Sequence, residues 1–466
     1  MNGHDATHGR PRGAALEGRK VAVLGLGASG RAAARLALSE GGEVYVSDLR
    51  ADAQTADGGA ELRALGADVE WGAHDVDRVA RADLVVVSPG IPPHAPVLRA
   101  LSDRGLGWIS EPELAVRFFR GPLIAVTGTN GKTTTSVMIA HLLQEAGQAA
   151  ALGGNVGGGL APAASALALM EPAPAWYVLE LSSFQLGAIQ TLRPDLGVVT
   201  NLSPDHLDYY ETVEDYYGDK ARLFDNADER CRWVLPYGDA EVAALAGDAP
   251  GTRYYVADEP VAGAHAWVDA GVLTVAVDGE PEPLVPTDEV PLLGRHNHRN
   301  ALVAALVARL AGATPDALAR GLRTARALPH RLEPVLERRG ILWVNDSKAT
   351  NVAATASALG SLERPVVLLL GGKDKAEDFR RLRPALANVR AAVTYGAAGP
   401  RLADALDGAV DLVPVEGTFD QAVQAAADRA RPGDIVLLSP ACSSFDMFDN
   451  YEERGRRFAA LAREVA

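Results

Sequence analysis

The sequence predicts an α/β protein of three domains, each built on a mostly parallel sheet. A chain of 466 residues is too long for one compact core, because single domains usually stop growing near ~250 residues. Short β-branched runs alternate with segments rich in alanine and leucine, the pattern of strand–helix–strand units. Polar and glycine-rich loops follow several of these runs. We predict domains at residues 1–112, 113–327 and 328–466.

Composition and net charge exclude several classes of protein. Hydrophobic residues make up 48% and charged residues 23%, and the net charge is −15, which argues against disorder, nucleic-acid binding and binding to anionic membranes. No apolar run approaches the ~20 residues of a membrane span. Cys231 and Cys442 are far apart in sequence, so no disulfide framework is expected. We expect a cytoplasmic protein whose residues 1–18 are disordered.

Lysine is rare in this chain. Of the 45 basic residues, 39 are arginine and only six are lysine, at positions 20, 132, 220, 348, 373 and 375. A lysine kept in such a chain is more often one that needs a compact ammonium or a primary amine, which arginine cannot supply. Chance survival on a solvated surface is the alternative, and it fits Lys20 and Lys373 best.

The first series of strands is predicted at Val21–Leu24, Val44–Ser47 and Leu84–Ser88. A glycine-rich turn, Gly25–Gly30, follows the first strand and opens a helix, and Asp48 ends the second strand. Such a turn lets the backbone approach a phosphate group, and the acid can accept ribose hydroxyls. We predict that this turn binds a nucleotide, although the pattern does not specify NAD. The alternative is a glycine-rich turn that binds no ligand.

The second series is predicted at Leu123–Thr127, Trp176–Glu180 and Leu196–Thr200, with an antiparallel insertion from Arg253 to Val285. Its first strand runs into a glycine-bounded loop, and a helix then begins with one lysine and two threonines. In such loops the backbone N–H groups surround phosphates, lysine reaches the β/γ oxygens and a threonine hydroxyl coordinates magnesium. We predict a nucleoside triphosphate site formed by Gly128, Thr129, Asn130, Gly131, Lys132, Thr133 and Thr134.

Further residues in this region could complete a magnesium site with Thr133. Glu180 ends a buried strand, where a carboxylate commonly faces triphosphate oxygens, and His206 follows the end of the next strand. Lys220 lies on a predicted helix, where a lone lysine is normally solvated. In a chain so poor in lysine, it indicates amine chemistry, for example reaction with CO2 to form a carbamate that acts as an anionic metal ligand.

The third series begins after a helix that starts near Asn297. Its strands are predicted at Ile341–Asn345, Val366–Leu370, Ala391–Tyr395 and Ile435–Ser439. Polar loops lie beside these strands, at residues 330–333, 345–351, 371–375 and 439–446, and open α/β sheets bind ligands beyond the carboxyl ends of their strands. We predict a site for an anionic co-substrate; ordinary loops with capping residues are the alternative.

Taken together, these segments resemble the Mur ligase family. The resemblance is carried by TGTNGKTTT, ELSSFQL, DHLD, GRHNHRNA, PHRLE, NDSKATN, LLLGG and LLSPACSSFD, and it spans nearly the whole chain after residue 20. It implies a Rossmann-like UDP-binding domain, a central P-loop ATPase domain and a Rossmann-like C-terminal domain that brings an amino acid. The family reaction uses ATP to phosphorylate a substrate carboxylate, and an amine then attacks the acyl phosphate through a tetrahedral intermediate.

The motifs SPGIP at residues 88–92, NDSKATN and SPACSS resemble the branch that joins D-glutamate to UDP-N-acetylmuramoyl-L-alanine in peptidoglycan precursor synthesis. The resemblance implies UDP-substrate contacts at Ala28, Ser29, Asp48, Gly90 and Asn155. It implies a catalytic and magnesium centre at Lys132, Thr133, Glu180, His206 and a carbamylated Lys220. It implies further ATP contacts at Asn297, Asn300, Arg331 and Asp346. It implies D-glutamate contacts at Lys348, Thr350, Lys375, Ser444 and Tyr451.

Other readings remain open at this point. Another Mur ligase or a folylpolyglutamate synthase would share the ATP site but use different substrates. A nucleotide-regulated binding protein could keep the loop without turnover, although the predicted amino-acid site argues against it. We expect the ligase to be a monomer that uses ATP and Mg²⁺.

Overall fold

A computed structural model describes residues 16–157, 159–205 and 209–465. Contacts divide the chain into two compact units, one of Met1–Pro286 with Arg299–Leu322 and one of Thr287–His298 with Arg323–Ala466. The first unit holds two sheets and the second unit holds one. Among the described residues, no helix combines the length and apolarity that a membrane crossing requires.

The first sheet is entirely parallel, in the order β3-β2-β1-β4-β5. Its strands are β1 (Lys20–Leu24), β2 (Glu43–Asp48), β3 (Asp68–Trp71), β4 (Leu84–Val87) and β5 (Ile109–Ser110). Its helices are α1 (Ala28–Ser39), α2 (Ala53–Ala64), α3 (Val76–Val79), α4 (Pro96–Ser102) and α5 (Glu111–Val116). Leu16 is buried in the core beside this sheet, within the segment that we expected to be disordered through residue 18.

The second sheet has nine strands, in the order β14-β13-β12-β11-β10-β9-β6-β8-β7. Its strands are β6 (Leu123–Thr127), β7 (Ala150–Gly154), β8 (Trp176–Glu180), β9 (Leu196–Val199), β10 (Arg232–Pro236), β11 (Thr252–Val256), β12 (Ala266–Asp269), β13 (Val272–Val275) and β14 (Glu282–Pro286). The associated helices are α6 (Lys132–Glu145), α7 (Ala164–Ala168), α8 (Ser183–Leu186), α9 (Val213–Ala221), α10 (Ala240–Ala246), α11 (Arg295–Leu310) and α12 (Pro315–Thr324). Short 3₁₀ turns cover Arg222–Phe224 and Thr287–Glu289.

The third sheet has the order β15-β16-β20-β17-β18-β19, and only its edge pair β15–β16 is antiparallel. Its strands are β15 (Glu333–Arg338), β16 (Ile341–Asn345), β17 (Val366–Gly371), β18 (Val389–Tyr395), β19 (Leu412–Pro414) and β20 (Ile435–Leu438). Its helices are α13 (Val352–Gly360), α14 (Gly399–Leu406), α15 (Phe419–Arg429) and α16 (Tyr451–Val465), with a 3₁₀ segment at Phe379–Asn388. Alternate residues of β17 enter separate buried clusters on the two faces, so the sheet is covered on both sides.

The predicted α/β class with three mostly parallel sheets is confirmed, and the predicted strands lie within two residues of the observed ones. The region from Arg253 to Val285 differs from the expected insertion. Its first strand, β11, pairs in parallel with β10, and the antiparallel strands β12 to β14 extend the same sheet. The domain limits stay predictions; residue 112 lies inside α5, and residue 327 lies close to the crossing between units at Leu322–Arg323.

The first two sheets share one hydrophobic core, and a buried carboxylate joins their elements. Glu113 on α5 is fully buried and accepts hydrogen bonds from the backbone N–H groups of Gln190, Thr191 and Leu192 at 2.9–3.0 Å. The Arg117 guanidinium pairs with the same carboxylate at 3.1 Å. A carboxylate that satisfies three consecutive N–H groups and one cation fixes α5 to the segment between α8 and β9.

Candidate active site

The glycine-bounded loop connects β6 to α6, at the carboxyl edge of the second sheet. Gly131 caps α6 with φ of +82°, and a Cβ atom at this position would lie 2.5 Å from Oδ1 of Asn300. Glycine is therefore required both for the left-handed backbone and for the approach of Asn300. The side chain of Lys132 folds over the loop and donates from Nζ to the carbonyl oxygens of Gly128 at 2.9 Å and Thr129 at 2.8 Å.

The segment after β9 braces this loop. Thr129 Oγ1 donates to the Ser203 carbonyl oxygen, and Asn130 N donates to Asn201 Oδ1 at 2.9 Å. Thr200 Oγ1 and Asn201 Nδ2 both donate to the Asn130 carbonyl oxygen, at 2.6 and 3.0 Å. These contacts keep the loop in one backbone conformation, which is what a cradle for phosphate oxygens requires. The sequence analysis did not identify this bracing role.

Lys220 is the most unusual member of the site. It lies on α9, is 1% exposed, and donates from Nζ to the Gly128 carbonyl oxygen at 2.8 Å, the acceptor that Lys132 also uses. Its amine lies 4.6 Å from the ring centroid of Tyr216. Burial, with a further contribution from the charge of Lys132, lowers the pKa of the Lys220 amine to about 7. A substantial fraction of this amine is therefore neutral near pH 7, unlike an ordinary surface lysine.

Oxygen donors suited to magnesium lie at the same edge of the sheet. Thr133 begins α6 and Glu180 ends β8, and both are buried. Oε1 of Glu180 accepts a hydrogen bond from Asn155 Nδ2 at 3.2 Å. Hydroxyl and carboxylate oxygens are the hard ligands that Mg²⁺ favours, so these two residues fit the ion. His206, the third predicted ligand, lies outside the residues that the structure describes.

Within residues 16–157, 159–205 and 209–465, no three His, Cys, Asp or Glu side chains converge on one point. Lys220 as an ammonium would repel a cation, whereas its carbamate would add an anionic oxygen ligand.

A cavity of about 940 Å³ lies at the carboxyl edge of the first sheet. Four of the five residues predicted to bind the UDP substrate line it: Ala28, Ser29, Asp48 and Gly90. The fifth, Asn155, lies instead at the end of β7 beside Glu180. The structure thus places Asn155 with the phosphate centre of the second sheet and the other four with the nucleotide cavity.

Asp48 is oriented by the turn that encloses this cavity. Its Oδ2 accepts from Leu26 N at 2.7 Å and its Oδ1 from Arg50 N at 2.8 Å. Burial opposes ionisation, but these backbone hydrogen bonds outweigh it and lower the pKa of the Asp48 carboxyl. His74 also lines the cavity, with Nδ1 2.8 Å from Ser47 Oγ, and the sequence analysis missed it because a lone histidine after a short strand carries no motif.

The residues predicted to contact ATP divide between the two units. Asn300 lies in the first unit beside Gly131, and its Oδ1 accepts from Thr135 Oγ1 at 3.4 Å. Asn297 belongs to the second unit, where its Nδ2 donates to the Leu293 carbonyl oxygen at 2.7 Å. Arg331 and Asp346 also belong to the second unit. Only Asn300 is therefore placed beside the phosphate-binding loop within one unit.

Asp346 is a nearly completely buried carboxyl at the end of β16. Its Oδ2 accepts from Ser439 Oγ at 2.8 Å and its Oδ1 from Leu332 N at 3.2 Å. Burial raises the pKa of the Asp346 carboxyl to about 7, while these hydrogen bonds and the charge of Arg331 act in the opposite direction. The carboxyl can therefore change its charge close to neutral pH.

This pKa predicts a pH dependence of stability. Between about pH 4 and 7 the folded chain holds a proton on Asp346 that the unfolded chain has released, so this group stabilises the fold at low pH and its contribution is lost as the pH rises through about 7. We expect Asp346→Asn to show a smaller loss of thermal stability than the wild type between pH 5 and 7.5. Equal losses in the two proteins would contradict this, because other buried acids such as Glu111 are unchanged in the pair.

Most of the residues predicted to bind D-glutamate lie in loops at the carboxyl edge of the third sheet. Lys348 Nζ lies 5.3 Å from the ring centroid of Tyr451, and Lys375 Nζ donates to Thr350 Oγ1 at 3.3 Å. Ser444 is buried, 2% exposed, in the loop after β20. Tyr451 begins α16, and the assignment of these five residues to a D-glutamate site stays a prediction.

The fold and the glycine-bounded loop define an α/β protein of the P-loop nucleotide-binding class. Three family descriptions match successive parts of the chain: the Mur ligase MurD-like N-terminal domain over residues 19–110, the Mur ligase middle domain over 126–308, and the Mur ligase glutamate ligase domain over 330–442. The chain belongs to the Mur ligase family.

Relatives of known name support this assignment over nearly the full length. The chain is 42% identical over 451 residues to the UDP-N-acetylmuramoylalanine–D-glutamate ligase of Acidobacterium capsulatum, covering 96% of each chain. It is 41% identical to the ligase of the same name from Anaeromyxobacter dehalogenans, covering 97% of this chain and 99% of the relative.

Solved structures share the fold at low sequence identity. A pseudomurein peptide ligase type C from Methanothermus fervidus matches with a TM-score of 0.58 at 19% identity, covering 96% of this chain and all of the other. The MurF ligase from Thermotoga maritima, solved in complex with ADP, matches with a TM-score of 0.58 at 16% identity, covering 92% of this chain and 91% of the other.

Proposed function

We propose that this Mur ligase joins the amine of D-glutamate to the carboxyl group of UDP-N-acetylmuramoyl-L-alanine, with hydrolysis of ATP to ADP and phosphate. The main support is the named relatives, which are UDP-N-acetylmuramoylalanine–D-glutamate ligases at up to 42% identity over 96% of the chain. The lysine-bearing loops of the third sheet agree with an acidic amino acid as the second substrate. We propose that the enzyme acts as a monomer in the cytoplasm, in peptidoglycan precursor synthesis.

The chemistry has two steps. The carboxylate of UDP-N-acetylmuramoyl-L-alanine attacks the γ-phosphorus of ATP, which gives an acyl phosphate and releases ADP. The neutral amine of D-glutamate then attacks the acyl carbon, and the tetrahedral intermediate loses one proton from nitrogen to solvent and expels phosphate as the amide forms. Magnesium supplies charge neutralisation of the phosphates when bound.

The residues of the second sheet support the first step. The loop from Gly128 to Gly131 offers backbone N–H groups, and Lys132 can move from its present loop carbonyl acceptors to phosphate oxygens that carry full charges. Glu180 and Thr133 would hold the magnesium ion, and His206 is proposed as a further ligand. The charge that develops on the transferred phosphoryl group is then met by groups that the fold already holds in place.

We propose that Lys220 carries a carbamate in the active enzyme. The reaction joins the neutral Nζ to the carbon of CO2 and releases one proton, so a neutral amine becomes a carbamate anion. The pKa of about 7 favours the neutral amine that this reaction needs. Lys132 lies close enough to share the Gly128 carbonyl oxygen with Lys220, and it could pair with the resulting anion.

The proposed function is tested by ADP release in the presence of UDP-N-acetylmuramoyl-L-alanine, ATP, Mg²⁺ and one amino acid at a time. We expect release with D-glutamate and little with L-glutamate, L-alanine, L-lysine or meso-diaminopimelate. Release that depends on a different amino acid would assign the chain to another activity of the family. Tight ATP binding without release under any of these conditions would favour a binding protein.

The cavity of the first sheet should bind a uridine diphosphate group rather than NAD. The lining residues offer a helix N-terminus, backbone amides and the oriented carboxylate of Asp48, which need only a diphosphate and a nucleoside as partners. We expect calorimetry on the whole chain to show binding of the UDP-linked substrate, weakened about tenfold or more by Asp48→Ala through loss of a charged hydrogen-bond acceptor. Tight NAD binding without UDP binding would contradict this.

A further inference from the structure

Arg454 is a buried cation beside the proposed amino-acid site. It lies in the first turn of α16 and is 0% exposed, in a chain that has 39 arginines. A guanidinium group is costly to remove from water unless its donors find partners. The partners of Arg454 therefore indicate why the fold keeps an arginine at this position.

The hydrogen bonds of Arg454 reach three separate loops. Nε donates to Ser347 Oγ at 2.9 Å and Nη2 to the Ser347 carbonyl oxygen at 2.8 Å, in the loop after β16. Nη1 lies 3.1 Å from the carbonyl oxygen of Cys442, after β20, and 3.5 Å from that of Gly371, at the end of β17. One planar group with donors pointing in fixed directions thus sets the spacing of three neighbouring strand ends.

Each of these loops carries a residue proposed to bind D-glutamate. Ser347 directly precedes Lys348, and Cys442 lies two residues before Ser444. Gly371 leads into the loop that bears Lys375. Since a displacement of about 1 Å is enough to impair a bound geometry, the relative position of these loops matters for substrate binding.

The loops after β17 and β20 also contact each other closely. Lys373 and Ser443 exchange backbone hydrogen bonds of 2.8 and 3.2 Å. Gly372 has φ of +129°, and a Cβ atom there would lie 2.2 Å from the Ser443 carbonyl oxygen and 3.1 Å from Nη1 of Arg454. A side chain at this position would force the loops and the guanidinium apart.

The acceptors of these bonds are a hydroxyl and carbonyl oxygens, which are neutral. Hydrogen bonds to neutral oxygens satisfy the donors without cancelling the positive charge. The guanidinium therefore keeps its positive charge at the edge of the sheet whose loops also carry Lys348 and Lys375. Asp446 and Glu377 bring negative charge to the surroundings of Cys442. Ser347 Oγ in turn donates to the Tyr451 carbonyl oxygen at 2.8 Å, which links the loop back to α16.

We propose that Arg454 is a positioning residue for the amino-acid site: it holds the loops after β16, β17 and β20 in the spacing that the two carboxylates of D-glutamate require. This inference rests on the proposed function, because it takes the D-glutamate site as assigned there. It adds a residue that does not itself touch the substrate.

Arg454→Lys tests the proposal, because lysine keeps the charge but has no planar fork of donors that reaches all three loops. We expect the KM for D-glutamate to rise by about tenfold or more, the size of effect that loss of one or two buried hydrogen bonds produces, with the KM values for ATP and the UDP-linked substrate changed by less than about twofold. If Arg454→Lys does not fold, Ser347→Ala removes the acceptor of Nε alone, and we expect a smaller rise confined to D-glutamate.

Arg390→Lys is the matched control. Arg390 pairs with buried Asp434 at 2.8 and 3.0 Å, at the amino edge of the same sheet, away from the three loops. We expect it to lower thermal stability without moving the KM for D-glutamate. The proposal would be overturned if the KM for D-glutamate in Arg454→Lys, or in Ser347→Ala, were the same as in Arg390→Lys.

Lys348→Ala is measured in parallel to separate the two proposals. A rise in the KM for D-glutamate in Lys348→Ala but not in Arg454→Lys would reject the positioning role and keep the site. No rise in Lys348→Ala would reject the proposed site itself.

Discussion

Lys220→Arg should be nearly inactive although it preserves the positive charge. Arginine cannot form the proposed carbamate, and its guanidinium would leave a cation beside the proposed phosphate and magnesium site. We expect kcat to fall by about 100- to 1000-fold, the range found when one preorganised electrostatic group is removed. Steady-state ADP release with saturating substrates measures this change.

Three further measurements make this prediction specific. Lys20→Arg is the matched control, because Lys20 is exposed on β1 and should tolerate the change. Lys220→Ala should recover part of its activity with formate or acetate, which can supply an anionic oxygen in the space left by the side chain. The wild type should lose activity in CO2-depleted buffer and regain it with bicarbonate. Near-normal kcat in Lys220→Arg would mean that a carbamate is not needed.

Lys348→Ala should raise the KM for D-glutamate by about 10- to 100-fold, because a charge-assisted hydrogen bond to a carboxylate contributes ~1.5–3 kcal/mol. An amino diacid must give up the hydration of two carboxylates on binding, and it does so only if cations replace the water. The KM for ATP should change by less than about threefold in the same variant. Initial rates with one substrate varied at a time separate the two constants.

The loop after β17 carries two lysines, Lys373 and Lys375, and either could contact the substrate. Both lysines are exposed, but Lys375 Nζ donates to Thr350 Oγ1, whereas Lys373 contacts Ser443 through its backbone. We therefore expect Lys375→Ala to raise the KM for D-glutamate and Lys373→Ala to leave it within about twofold. The reverse result would assign the substrate contact to Lys373 instead of Lys375. If Lys348→Ala changed only the KM for ATP, Lys348 would belong to the phosphate site instead.

Sequence patterns predicted those parts of the molecule that depend on residues close together along the chain. The apolar runs predicted the strands. The glycine-bounded loop could be recognised because a phosphate-binding loop needs its lysine and threonines at a short, fixed distance after the strand. The rarity of lysine drew attention to Lys220, which is buried in the structure, while its proposed amine chemistry stays a prediction. Its pKa depends on burial and on the nearness of Lys132, 88 positions earlier in the chain, and could not be read from sequence.

Other features were missed because their signal is tertiary. The chain has 39 arginines, and Arg454 lies in a helical segment rich in charged residues. No local sequence signal shows that its side chain points from α16 toward the strand ends of the third sheet. The edge strands β15 and β19 were not predicted either, because β15 carries charged residues and β19 has only three residues. The spatial relation of Asn155 to Glu180 also arises only when β7 and β8 pair.

The buried carboxylate of Glu113 has a consequence for how the protein denatures. A fragment that ended at residue 112 would lack both Glu113 and Leu114, and it would expose residues such as Ile109 that lie in the core shared by the first two sheets. The strands and helices of the first two sheets should therefore unfold in a single calorimetric transition. Neither sheet can unfold without exposing the common core and leaving the N–H groups of residues 190–192 without their hydrogen-bond acceptor. Scanning calorimetry of the intact chain should show no separate transition for residues 19–110.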